Sequence, residues 1–150
     1  MSTPEPVPSA LHLFVGYDGS DPAQRALDAA VRLLQGRAGR IEVVYVAHLS
    51  STVMLSAGAV AEMESDFDEI EQDLRTQAGE QLRDLKESWG FVRRQGLIPE
   101  ELIAAATSTP DADATVVIVV GSSSHATHRL VGSVAVNLAR HSPVPLVIVP

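Results

Sequence analysis

Residues 115–120, Thr-Val-Val-Ile-Val-Val, constrain the fold more than any other part of this chain. A strand with one face in water alternates apolar and polar side chains, and this run has no polar side of its own. Both faces must be covered, as for a central strand of a parallel sheet with helices above and below. Three further apolar runs, at 11–17 (LHLFVGY), 41–47 (IEVVYVA) and 146–149 (LVIV), read as companion strands, and a weaker one at 91–94 makes five. Four stretches of helical spacing separate them. Ser20 is placed to cap the first, Pro22 falls inside its first turn, and Gly36 ends it after Ala23, Ala26, Leu27, Ala30, Leu33 and Leu34. The second is long: Met63, Phe67, Ile70, Leu74, Ala78, Leu82, Leu85 and Trp89 are spaced by threes and fours. The third starts at Pro99, carries Leu102, Ile103 and Ala106, and stops before Pro110. Gly132-Ser133 opens the fourth, with Val131, Val134 and Leu138 on its apolar side and Pro143 and Pro145 beyond it. Residues 50–58 and 121–129 read as loops. Strands alternating with helices predict right-handed crossovers and one open, doubly wound α/β sheet.

At 150 residues and 45% hydrophobic content, the chain suits one core. Residues 1–10 hold three prolines, with neither a basic nor an apolar segment, and read as a disordered arm ahead of a domain at 11–150. A net charge of −8 argues against general affinity for nucleic acid or anionic membrane. There is no cysteine for disulfides or thiolate metal sites, and no apolar run approaches the about 18 residues that span a bilayer. The expected location is the cytoplasm.

In sheets of this type ligands bind beyond the carboxyl ends of the strands, where strand order reverses. One strand delivers Gly16, Tyr17 and Asp18 to that edge. The run at 115–120 delivers Val120, Gly121 and a serine-rich loop with Ser122 and Ser124, followed by the helix start at Gly132, Ser133 and Val134. Free N–H groups at a helix start hold anions such as phosphate, and Asp18 can accept hydrogen bonds from a ribose hydroxyl or a base. Asp18-Gly19-Ser20 also reads as an ordinary turn and cap, and Gly121 as a plain strand end. The acidic stretch from Glu62 to Asp73 reads as a solvated helix face that favours the helix macrodipole. His125 and His128 stand three apart without a third ligand, His48 falls at a strand end, and His12 and His141 have no motif around them. Lys86, the sole lysine, follows Leu85, which excludes a Walker A loop. Neither G-x-G-x-x-G after the first strand nor G-x-S-x-G occurs, and no nucleophile is paired with a base. No catalytic residue is assigned, and hydrolysis is expected to be at most weak.

Five features in order resemble the universal stress protein family over residues 11–149. They are Val15-Gly16-Tyr17-Asp18-Gly19-Ser20, the V-V-Y-V strand ending at Val46, Gly96 with Pro99, Val119-Val120-Gly121-Ser122, and Gly132-Ser133-Val134 before Pro143 and Pro145. The resemblance implies an adenine-nucleotide-hydrolase-like fold, a five-stranded parallel sheet in the order 3-2-1-4-5. It also implies a homodimer through the last strand. In the nucleotide-binding branch, the ligand is an adenine nucleotide (ATP, AMP or cyclic AMP, with Mg as a companion ion). By position, Asp18 and Val46 meet its adenosine, and Gly121, Gly132 and Ser133 its ribose and phosphates. The other branch implies a dimeric interaction module with a vestigial pocket. Binding members read G-x2-G-x9-G-[S/T], whereas here the run is GSSSHATHRLVGS. Ser124 or His125 stands for the second glycine, and ten residues separate Gly121 from Gly132, two fewer than the pattern.

Overall fold

Alternate residues of each strand go to different helix layers, and this alternation organises the molecule. The computed structural model describes residues 9–48, 56–85, 88–122 and 132–150. In chain order the elements are β1 (Leu11–Gly16), α1 (Asp21–Leu34), β2 (Gly39–Ala47) and α2 (Ala57–Gln81), then a 3₁₀ turn at Arg83–Leu85. They continue as β3 (Trp89–Gln95), α3 (Ile98–Thr107), β4 (Thr115–Gly121), α4 (Ser133–His141) and β5 (Leu146–Val149). All strand pairs are parallel, in the order β3-β2-β1-β4-β5. Leu13, Val15, Ile41, Val43 and Val119 join Leu27 of α1 and Leu74 of α2 in one buried cluster. Phe14, Val44, Ile118 and Val120 join Leu102 of α3 and Leu138 of α4 in the other. Ile118 and Val119 are both fully buried, so the central strand is covered on its two faces as its composition requires.

Local signals explain most boundaries. Ser20 Oγ accepts from Ala23 N at 3.4 Å and starts α1 ahead of Pro22. The chain leaves α1 through Gly36, whose φ of +74° suits glycine. Pro99 sits in the first turn of α3, where its missing N–H costs nothing.

The second helix departs from expectation at both ends. It begins at Ala57, inside the segment read as loop, because Ser56 caps it by accepting from Ala59 N at 3.2 Å. It ends at Gln81, and Trp89 is the first residue of β3, opposite Ile41. Trp89 packs on the same core as Leu74 and Ala78. The hydrophobic spacing therefore runs on although the backbone has changed, since spacing reports which side chains point inward rather than the geometry between them. Ile70, expected on the apolar face, is exposed, and the buried residues of α2 are Leu74 and Ala78. With the helix starting at Ala57, its first turn holds no acidic residue and the macrodipole argument fails. Part of the acidic stretch is paired instead: Asp68 and Glu71 lie 2.6 and 3.1 Å from Arg93 of β3, and Glu71 lies 2.9 Å from Arg75. Arg75 in turn stacks over the Phe91 ring. The third strand, β3, is longer than the run at 91–94 suggested. Residues 1–8 of the expected arm, most of the 50–58 segment, and Val131 lie outside the described residues.

Candidate functional site

The order β3-β2-β1-β4-β5 sends the chain from β1 toward one edge of the sheet and from β4 toward the other. Beyond the carboxyl ends of these two central strands lies a cleft of about 330 Å³. Two glycines shape it. A methyl group at Gly16 would come within 3.2 Å of Leu102 Cδ1 and 3.3 Å of Val120 Cγ1, so glycine keeps this part of the cleft open. At Gly121 a methyl group would overlap the carbonyl oxygen of Pro22, because β4 ends directly against the first turn of α1.

Asp18 is the carboxylate of the cleft lining. Its Oδ1 accepts from Ser20 N at 3.0 Å and from the Ser20 hydroxyl, which itself caps α1. The ordinary turn-and-cap reading is thus correct as far as it goes. It occupies one carboxylate oxygen, and Oδ2 has no hydrogen-bond partner among the described residues. Tyr17 is committed elsewhere. Its ring is buried, its hydroxyl donates to Gln81 Oε1 at 3.0 Å, and its phenol pKa is pushed up to about 12, chiefly by burial and further by the charges of Asp18 and Asp28.

Across the cleft stands the start of α4. Gly132 is its N-cap and offers no side-chain hydrogen bond, so no side chain caps the first N–H groups of the helix among the described residues. Gly132, Ser133, Val134 and Ala135 all line the cleft, with Val46, Ile98, Leu102 and Val120 as apolar wall. Ser122 is not part of the lining, and its N–H is donated to Val149 O at 2.8 Å. Ser124, together with His125, His128 and Arg129, lies outside the described residues. His48 stays off the lining, its Nδ1 3.3 Å from Gly96 O, and His141 Nδ1 is 2.9 Å from Asn137 O. No group of three His, Asp or Glu that could hold a metal gathers among the described residues. Sequence reasoning missed Ile98, Leu102 and Tyr45. The first two are one helical turn apart on α3, and only the packing of α3 over β1 and β2 brings them to the strand ends.

The sequence profile of the Universal stress protein family matches residues 11–150. The chain belongs to the universal stress protein family. No curated protein sequence matches it significantly. Among solved structures it is similar to universal stress protein UspA from Lactobacillus plantarum, at 18% identity and TM-score 0.70 over 96% of this chain and 100% of that one. A universal stress protein in complex with cAMP matches at 22% identity and TM-score 0.65, covering 95% of this chain and 99% of the other. The universal stress protein from Archaeoglobus fulgidus in complex with dAMP matches at 18% identity and TM-score 0.55, covering 95% and 98%. At these identities the likeness is one of fold. The universal stress protein fold accounts for the sheet order and for the position of the cleft at the point where that order reverses.

Proposed function

We propose that this universal stress protein binds an adenine nucleotide in the cleft at the ends of β1 and β4. The observation that carries the reading is the meeting of three unlike surfaces over one cleft: an apolar wall, a carboxylate with a spare oxygen among the described residues, and a helix start whose N-cap is a glycine. A flat base suits the wall of Val46, Ile98 and Leu102. Asp18 suits a ribose hydroxyl, and the amides at Gly132, Ser133 and Val134 suit a phosphate. The cAMP and dAMP complexes of its structural relatives support the same ligand class. Since Asp18 is the sole carboxylate in the described lining, a magnesium ion would be held mainly through the nucleotide's own phosphates.

The ten-residue interval between Gly121 and Gly132 sets the expected preference. A triphosphate needs more backbone donors than a monophosphate, so ATP should lose more affinity than AMP or cyclic AMP relative to a full-length loop. Calorimetric titration with the three nucleotides tests this. Gly132 has φ −59° and ψ 157°, which any residue adopts, so Gly132→Val should fold normally while hindering phosphate approach. Absence of heat with all three at millimolar concentration would sink the nucleotide reading and leave an interaction module.

A homodimer through β5 completes the proposal. The strand lies at the edge of the sheet, pairing with β4 on one side only, and an apolar edge tends to be covered. Light scattering should give about twice the 15.9 kDa chain mass. A monomer mass for the unaltered protein at all practical concentrations would contradict it.

A further inference from the structure

We infer that Gln81, at the end of α2 and outside the cleft, is a positioning residue that holds the Asp18 turn in place from behind; this rests on the nucleotide reading above. Asp18 lies between two residues that are each fastened. On one side the Tyr17 hydroxyl donates to Gln81 Oε1 at 3.0 Å. The same carboxamide donates through Nε2 to Gln24 O at 3.1 Å and to Asp28 Oδ1 at 3.0 Å. On the other side Gln24 Nε2 donates to Gly19 O at 3.0 Å. The ring closes through the β1–α1 turn, α1 and α2, and it uses the acceptor and the donor ends of Gln81 together. The Tyr17 phenol is protonated at neutral pH, as any tyrosine is, and so can donate.

Backbone contact reinforces the ring. Gly19 has φ +78°, and a methyl group there would fall 2.7 Å from Leu74 Cδ2 and 2.9 Å from Gln77 Oε1, both on α2. The turn that carries Asp18 therefore lies directly on α2, with Gln81 as its polar fastening. Neither Gln24 nor Gln81 lines the cleft, so any effect on a ligand must pass through the turn.

Gln81→Met tests this, because it preserves length and helix propensity but cannot bridge. AMP affinity, measured by calorimetry, should fall about five-fold, the worth of one ordinary hydrogen bond. In an Asp18→Ala background the same change should have no further effect. An arm that needs no nucleotide is amide exchange at Ser20, whose N–H donates to Asp18 Oδ1. Exchange there should quicken about five-fold in Gln81→Met and in Tyr17→Phe, as loss of one such bond would allow. It should stay unchanged in Gln72→Met, on an exposed part of the same helix. Unchanged Ser20 exchange in Gln81→Met overturns the inference whatever AMP does. So does quickened exchange with unaltered AMP affinity, or an affinity loss that persists without Asp18. Quickened exchange in a protein that binds no nucleotide supports the positioning role and overturns the nucleotide reading alone.

Discussion

Gly121→Ala is expected to lower the midpoint of thermal unfolding by about 10 °C, the equivalent of roughly 3 kcal/mol for a domain of this size. The added carbon would overlap the Pro22 carbonyl oxygen and fall 2.7 Å from Pro22 Cβ. A flexible side chain could swing away, but these atoms belong to the first turn of α1, which is fixed by the Ser20 cap and by Ala23, Ala26 and Leu27 in the core. Either β4 or the whole start of α1 must shift. Gly36→Ala is the control. Its left-handed φ of +74° costs about 1–2 kcal/mol, yet nothing lies within 4 Å of the new carbon. Melting followed by circular dichroism should therefore rank wild type, then Gly36→Ala, then Gly121→Ala. An unchanged midpoint for Gly121→Ala would show that β4 and α1 do not meet as described.

Asp18→Ala should weaken AMP binding roughly tenfold to a hundredfold, because a hydrogen bond to a charged group is worth about 1.5–3 kcal/mol. Stability should change far less, since Ser20 can still cap α1 through its own hydroxyl. Asp18→Asn separates the two roles of the carboxylate. An amide oxygen can still accept from Ser20 N, while the charge offered to a ribose hydroxyl is lost, so its affinity should fall between the other two. Calorimetric titration checks all three. Equal affinity in wild type and Asp18→Ala would remove Asp18 from the site.

The layout was legible in the sequence where one local rule governs. The run at 115–120 could only be a doubly covered strand, and Ser20-Asp21-Pro22 could hardly avoid starting a helix. Strand ends and a helix start likewise marked Gly16, Asp18, Gly121 and Gly132, all of which meet at one cleft. What escaped depends on partners far apart in the chain. Trp89 keeps the helical spacing of α2 because both pack on one core, so spacing alone could not reveal the change to strand. The acidic stretch is a solvated face as expected, with Asp68 exposed, but its pairing of Asp68 and Glu71 with Arg93 depends on β3 lying beside α2. Gln24 and Gln81 carry no motif, and they matter through bonds to each other and to Tyr17 across 57 and 64 positions of chain.

The division of each strand between two cores also decides where this chain can change length. In β1, Leu13 and Val15 serve one helix layer and Phe14 the other, with Gly16 at the cleft. Deleting one residue within Leu11–Gly16 would exchange the two sets, turning small against large and carrying the neighbours of Asp18 to the wrong side. The interval from Gly121 to Gly132 falls after β4 has ended and before α4 begins, so its length does not enter the parity of any strand. The scaffold therefore constrains length strictly, while the end of the cleft proposed to take phosphate can differ.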